Sequence, residues 1–290
     1  MNYCICVSGN LGLTVLKCLN DVFLDISCVL TDKNSDDIVE YAQKENIPVF
    51  KGNPRNGKAA VWLDEANISF DNIISVNYLF ILEPDILDRV KNVAVNFHGS
   101  LLPKYRGRTP HVWAIINGEK EAGITAHLMN SKCDDGDIVK QIVVPIGENE
   151  TGADILVKYN SIYPGLVKSI ISDIEGNTLK HTPQDTTKAT YFGKRTPADG
   201  KINWDWQKER IRNWVRAQAF PYPGAFALFK GNKIIINKVE YSDIGFTDKM
   251  DNGLVISVIE GIPYVKTPNG VIKLLGIEAD VEIKSGVILT

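Results

Sequence analysis

The chain has 290 residues, 44% of them hydrophobic and 23% charged, with a formal net charge of −3. That length exceeds one small domain and suits two, at roughly 100–200 residues each. The apolar content supports a sizeable core, and the charge balance excludes a global basic field that would draw in nucleic acid or an anionic membrane.

The chain opens in a strand-like run, Tyr3-Cys4-Ile5-Cys6-Val7, with no basic leader, small-residue cleavage site or long apolar stretch, so a cytoplasmic location is expected. Short β-type runs at Tyr3–Ser8, Asp25–Thr31, Asn72–Val76 and Val93–Phe97 alternate with helical patterns near Leu11–Leu19, Asp37–Glu45 and Pro84–Arg89. That alternation predicts a parallel sheet covered by helices on both faces. Gly123–Met129 and Ile138–Pro145 read as β, and Thr151 to Glu175 as one long helix with Ile155, Tyr159, Ile162, Leu166 and Ile170 near helical spacing. Thr182–Asp199 is polar, rich in Thr and Pro, and suits a surface connector. A helical pattern at Gln207–Ala217 leads into Phe220-Pro221-Tyr222-Pro223-Gly224. Short runs at Ala225–Lys230, Lys233–Tyr241, Leu254–Glu260, Pro263–Thr267 and Val271–Ile277 follow, with turns at Gly231-Asn232 and Asn269-Gly270. They predict a small β-barrel of OB type. The expected division is a domain at 1–200 and a second at 201–290.

The cysteines Cys4, Cys6, Cys18, Cys28 and Cys133 form no CxxC pair and mostly sit in apolar runs, which predicts buried reduced thiols and no metal site.

The informative stretch begins at Val93-Ala94-Val95, a continuous apolar run of the kind a central parallel strand shows. Asn96 and His98 end it, and a two-residue period puts their side chains on one side. In open α/β sheets the carboxyl edge of the strands is where ligands bind. Two readings are open: a turn start and a helix cap, or a carboxamide and an imidazole delivered together to a reaction site.

The stretch NFHGSLLPKYRGRTP (Asn96–Pro110), followed by GITAHLMNSKCDDGDIV (Gly123–Val139), closely resembles the signature of the folate-dependent formyltransferases. The resemblance implies a Rossmann-like N-terminal sheet, the formyltransferase fold, and a catalytic set of Asn96, His98 and Asp134. The family's LDxGD form is broken only by Cys133. The resemblance also implies 10-formyltetrahydrofolate as formyl donor, lying against the loop Tyr78–Leu82 through Phe80, Ile81 and Leu82, and against Asp134 and Asp137 of the acidic turn. For Phe80 and Leu82 a plain core role is equally open. In such chemistry an amine attacks a formamide carbonyl. Asn96 offers an N–H to the oxyanion, for ~10²–10³ in rate. His98, with an ordinary pKa of about 6.5, moves a proton as base or as cationic donor. Asp134 orients the imidazole.

Ser8, Gly9 and Asn10 open the first helix in a glycine turn. Such a turn cradles phosphate, as in the glycinamide ribonucleotide enzyme, or simply serves a tight β-to-α connection. His127 reads as structural, and His111 as helix-start packing or a phosphate neighbour.

The second half favours nucleotide-linked amino sugars over methionyl-tRNA as acceptor. The segments Tyr191–Pro197, Asn203-Trp204, Val215–Ala217 and Pro221–Phe226 are similar to the sugar enzymes, including the formyltransferase half of the aminoarabinose-lipid A enzyme. A tRNA demands a basic surface. A nucleotide diphosphate needs only a few donors, here Asn10, Lys104 and Arg106, and one aromatic to stack a base, Tyr222 or Trp214. The expected acceptor is a dTDP-linked 4-amino-4,6-dideoxyhexose for surface polysaccharide such as the O-antigen of lipopolysaccharide. Methionyl-tRNA is the alternative. No nucleic-acid or membrane partner is expected, and a homodimer is.

Overall fold

A computed structural model describes all 290 residues. In chain order the elements are β1 (Tyr3–Val7), α1 (Gly9–Asn20), β2 (Ile26–Thr31), α2 (Asp36–Lys44), β3 (Val49–Lys51), α3 (Lys58–Glu65), β4 (Asn72–Val76), α4 (Pro84–Leu87) and β5 (Val93–His98). Then come β6 (Arg106–Gly107), α5 (Pro110–Ile116), β7 (Glu121–Leu128), β8 (Ile138–Pro145), α6 (Gly152–Glu175) and β9 (Tyr191–Phe192). The remainder is α7 (Lys208–Ala217), β10 (Ala225–Phe229), β11 (Asn232–Ser242), β12 (Val255–Ile259), β13 (Ile262–Thr267) and β14 (Gly270–Glu278). No helix is long and apolar enough to cross a membrane.

The chain divides into two compact units. One comprises Met1–Gly107, Gly123–Val144 and Lys158–Tyr191; the other Arg108–Ala122, Pro145–Val157 and Phe192–Thr290.

The first unit is built on a seven-stranded sheet of order β3-β2-β1-β4-β5-β7-β8. β1 and β4 are buried along their whole length, because helices cover both faces and every side chain meets one. β1 through β5 are parallel, and β7 runs antiparallel beside β5. Strand order reverses between β1 and β4, which opens a crevice at their carboxyl ends. Asn77, just after β4, spans it by donating from Nδ2 to the Ser8 carbonyl at 2.8 Å. Gly12 lets α1 lie close on β1, since a Cβ there would stand 2.9 Å from the Val7 Cβ.

The α/β architecture is as the sequence predicts, and most elements fall within a residue or two. The sequence reading has no counterpart for β3, α3, α5 or the two-residue strands β6 and β9. β3 has three residues, too few to show a period.

The second unit holds a five-stranded antiparallel sheet, β10-β11-β14-β13-β12. The expected turn at Gly231 is at positive φ, as is Gly261 between β12 and β13, which the sequence reading does not single out. The end of the chain joins the two edge strands. Gly286 N–H and Leu289 N–H donate to Val255 and Gly253 carbonyls at 2.8 and 2.9 Å, and Thr290 exchanges two bonds with Leu228, at 2.6 and 2.9 Å. α7 packs Ile211, Trp214, Val215 and Ala217 inward.

Candidate functional site

Asn96 and His98 stand at the carboxyl end of β5, as their position after the apolar run predicts. The antiparallel register sets Asn96 opposite His127 and His98 opposite Thr125, so these side chains share a face of the sheet. Asn96 Nδ2 lies 3.1 Å from His127 Nε2. His127 Nδ1 lies 2.8 Å from the Leu128 carbonyl, which can only accept, so the proton sits on Nδ1 and Nε2 takes the amide hydrogen of Asn96. Asn96 is half-buried, and its amide carries a second N–H beyond that bond.

His98 is buried, and its Nε2 donates to the Tyr105 carbonyl at 2.8 Å. In the neutral ring that bond leaves the lone pair on Nδ1, which faces Asp134 Oδ2 at 3.6 Å. A lone pair opposite a carboxylate oxygen repels it, and a donor N–H placed between them satisfies both. Burial is the largest influence on His98 and lowers its pKa; Asp134 and the Tyr105 carbonyl only partly oppose that. Burial acts in the other sense on Asp134. The charge His98 takes on when protonated, the contact with His127 and the Gly107 N–H outweigh it and hold the carboxyl well below the usual carboxylate range. The carboxylate also lies 3.5 Å from His127 Nε2. The site thus brings together a carboxylate, a neutral imidazole whose Nδ1 lone pair the Tyr105 bond leaves unused, and an amide donor, a set that suits deprotonation of an amine and support of a developing oxyanion.

The turn that carries Asp134 is gripped from several sides. Asp134 adopts φ +52°, a left-handed conformation unusual for a residue with a Cβ. Its Oδ2 accepts from the Gly107 N–H at 2.9 Å and from the Cys133 thiol at 3.3 Å. Gln184 Nε2 donates to the carbonyls of Asp134 and Gly136, at 2.9 and 2.7 Å. Gly136 is required, because a Cβ there would meet the Leu128 oxygen at 1.9 Å. Arg106, 1% exposed, donates from Nη2 to Gln184 Oε1 at 2.7 Å and from Nη1 to Asp135 Oδ1 at 2.5 Å. Tyr191 OH is 2.5 Å from the same Nη1. The guanidinium expected at a diphosphate therefore faces inward, to the acidic turn.

The other residues singled out fall as follows. Ser8 is buried, the Gly9 N–H donates to Ser35 Oγ at 2.9 Å, and Asn10 is exposed. Lys104 is exposed. After β4, Leu79 and Ile81 are 38% and 42% exposed and Phe80 is half-buried against Tyr78, with ring centroids 5.5 Å apart. Leu82 belongs to the hydrophobic cluster with Cys4, Cys28 and Ile73. Asp137 Oδ2 pairs with His181 Nδ1 at 2.7 Å. In the second unit, Tyr222 OH is 2.6 Å from His111 Nε2, and burial raises its pKa. Trp214 is buried there and donates to the Gly200 carbonyl at 3.1 Å. Cys4, Cys6 and Cys28 are buried free thiols, but Cys133 is exposed, because it sits on the acidic turn rather than in an apolar run.

Sequence reasoning treated His127 as structural and passed over Gln184. The strict alternation Thr125-x-His127 on a strand next to β5 was the available signal for the first. Gln184 sits in the polar connector and left no pattern.

Residues 8–162 match the family described as formyl transferase, and residues 194–284 match the formyl transferase C-terminal domain. Among solved structures, the chain is similar to WlaRD, a sugar 3N-formyl transferase crystallised with dTDP and 5-N-formyl-THF. Identity is 22% over 98% of this chain and 99% of that one, with a TM-score of 0.73. It is similar to an N-formyltransferase from Helicobacter canadensis in complex with folinic acid and dTDP-3-aminofucose, 23% identical over 94% and 98% of the two chains, with a TM-score of 0.71. It is also similar to the methionyl-tRNA formyltransferase from Clostridium thermocellum, 19% identical over 99% and 100%, with a TM-score of 0.59.

Proposed function

Because the chain belongs to the formyl transferase family, we propose that it moves the formyl group of 10-formyltetrahydrofolate onto the amine of a dTDP-linked amino sugar. The observation that carries this reading is the His98–Asp134 pair. The Nε2 bond to Tyr105 leaves Nδ1 as a base facing Asp134 Oδ2 at 3.6 Å, a spacing that one amine nitrogen can bridge by giving an N–H to each atom.

The folate supplies the formyl carbon and, as its nitrogen leaves, receives a proton. Every other part of the step falls to side chains of this chain. His98 Nδ1 takes the proton that the amine sheds as its nitrogen bonds the formyl carbon, and burial keeps the ring neutral and ready for it. Asp134 stays ionised and stabilises the imidazolium so formed. His98 then returns the proton to the departing nitrogen. The second N–H of Asn96, held in place through His127, serves the carbonyl oxygen as negative charge collects there. For the pterin we assign the outward apolar side chains of Leu79, Phe80 and Ile81; their exposure at the carboxyl edge of β4 fits a flat ring. Leu82 supports that loop from below. Asn10 and Lys104 are the exposed donors assigned to the diphosphate.

A sugar acceptor is favoured over tRNA by the charge of the second unit. Of its strand lysines, Lys238 and Lys273 both pair with Glu240, at 2.8 and 3.3 Å, which breaks up a basic stripe. Two of the similar structures carry dTDP or a dTDP sugar. We assign the product to surface polysaccharide synthesis, including lipopolysaccharide O-antigen, and the working form to a homodimer.

The test is formyl transfer from 10-formyltetrahydrofolate to a panel of dTDP-, UDP- and GDP-linked 3-amino and 4-amino sugars, with charged initiator methionyl-tRNA alongside. Selective formylation of a dTDP sugar is expected. Formylation of the tRNA alone would sink the proposal.

A further inference from the structure

The Asp134 turn is held by more than its own sequence supports. A non-glycine residue at positive φ is strained by ~1–3 kcal/mol and persists only where its surroundings impose the conformation. What imposes it is a two-residue clamp. Arg106 has no acceptor atoms, so the atom of Gln184 that faces it at 2.7 Å must be Oε1; this fixes the direction of the amide and turns both Nε2 hydrogens toward the turn. Those hydrogens bind the carbonyls of Asp134 and Gly136, one on each side of the middle residue, and Arg106 Nη1 holds the Asp135 carboxylate. Three consecutive residues are therefore tied to one guanidinium and one carboxamide.

The residues flanking Arg106 act on the same pair of groups. Tyr105 gives its carbonyl to His98, and Gly107 gives its N–H to Asp134. The backbone of Arg106 is itself tied down, its N–H donating to the Thr190 carbonyl at 2.9 Å. The tripeptide Tyr105-Arg106-Gly107 thus sets the imidazole by one end, the carboxylate by the other, and the turn by the side chain between them. A shift of the turn would change the His98–Asp134 spacing directly.

We propose that Arg106 and Gln184 are positioning residues for the formyl transfer, and that they set the Asp134 carboxylate against His98 by holding the turn at residues 134–136, which Asp134 enters in a left-handed conformation. The proposal rests on the reading of His98 as the base, but one of its readouts does not.

The test uses Gln184→Glu and Gln184→Met in the full chain. The glutamate keeps a partner for Arg106 but puts a charged acceptor oxygen against the Asp134 and Gly136 carbonyls; the uncharged methionine keeps the volume, removes both functions, and is the variant whose titration is compared. Two quantities are read. The first is kcat and acceptor KM for formyl transfer, where a loosened carboxylate lowers kcat by ~10–10² and leaves KM nearly unchanged, since a misplacement of about 1 Å has that effect on rate. The second is the titration of the His98 imidazole by NMR in the free protein. The groups facing that ring are Asp134, His127 and the Tyr105 carbonyl, and of the ionisable ones Asp134 raises its pKa while His127 lowers it. Releasing Asp134 should move the titration down, as Asp134→Asn does, and the double variant should move it no further. Folded variants with an unchanged His98 titration and unchanged kcat would overturn the proposal, as would failure of Gln184→Glu to fold, which would make the clamp a scaffold element. If no acceptor is formylated by the unaltered protein, the function fails, but the titration still decides the clamp.

Discussion

Replacing Gly136 with alanine should disable the site through one added methyl group. An ideal Cβ on Gly136 falls 1.9 Å from the Leu128 carbonyl oxygen and 2.8 Å from its carbon, where real Cβ atoms keep at least 3.0 Å. Turn and strand must part by the difference between 1.9 and 3.0 Å, about 1.1 Å, and neither side is a flexible side chain. The Leu128 oxygen also accepts from His127 Nδ1, and the Gly136 carbonyl from Gln184, so the movement reaches Asn96 on one side and Asp134 on the other. A displacement near 1 Å at a reacting group is worth ~10² in rate. The overpacking itself is worth ~1–3 kcal/mol of stability. Steady-state formyl transfer would therefore fall about a hundredfold in kcat/KM, while circular dichroism and a melting curve show a folded protein of lower Tm. A variant with kcat/KM within a few-fold of the parent would refute the reasoning, because it would mean that the turn can move without moving the chemistry.

Two further outcomes follow from the same geometry. The acid limb of the kcat/KM profile should lie below the ordinary histidine value of about 6.5, because burial depresses His98 and the neutral base survives to lower pH. Asp134→Asn should move that limb lower still and reduce kcat by ~10²–10⁴; a limb above the ordinary value in the parent would refute this. Gly12→Ala should reduce stability by a net ~0–2 kcal/mol after the helix-propensity gain of alanine, and lower Tm with it, since its Cβ would meet Val7 Cβ at 2.9 Å and Val7 backbone at 3.2 Å. A raised Tm would show that α1 can shift on β1.

Much of the fold was legible because its signals are local. The apolar run Val93–Val95 announced a strand buried on both faces, and Asn96 and His98 announced themselves by standing at its end. His127 was not legible in the same way. Its meaning comes from lying opposite Asn96, and that pairing depends on β7 running antiparallel to β5, a fact about chain path rather than about residues 123–129. Arg106 reads from the sequence as a diphosphate donor because arginine is rarely buried unless paired, and the partners that bury it, Asp135, Gln184 and Tyr191, are distant in sequence from it. Gln184 lies in a connector whose composition says only that it is not a regular element. A side chain that works by holding another segment's backbone leaves no periodic trace.

The residues that bridge β10 and β12 in the second unit have a consequence for how the protein behaves outside its site. An open antiparallel sheet presents two rows of unpaired N–H and C=O groups, and each row can recruit a strand from another molecule. Here one short segment, residues 286–290, bonds to both borders at once, at Gly253 and Val255 on one side and Leu228 on the other. It acts as an edge guard. Its removal would take out one buried side chain, Leu289, and would leave two adhesive borders, so its first symptom would be self-association and precipitation rather than a slower reaction.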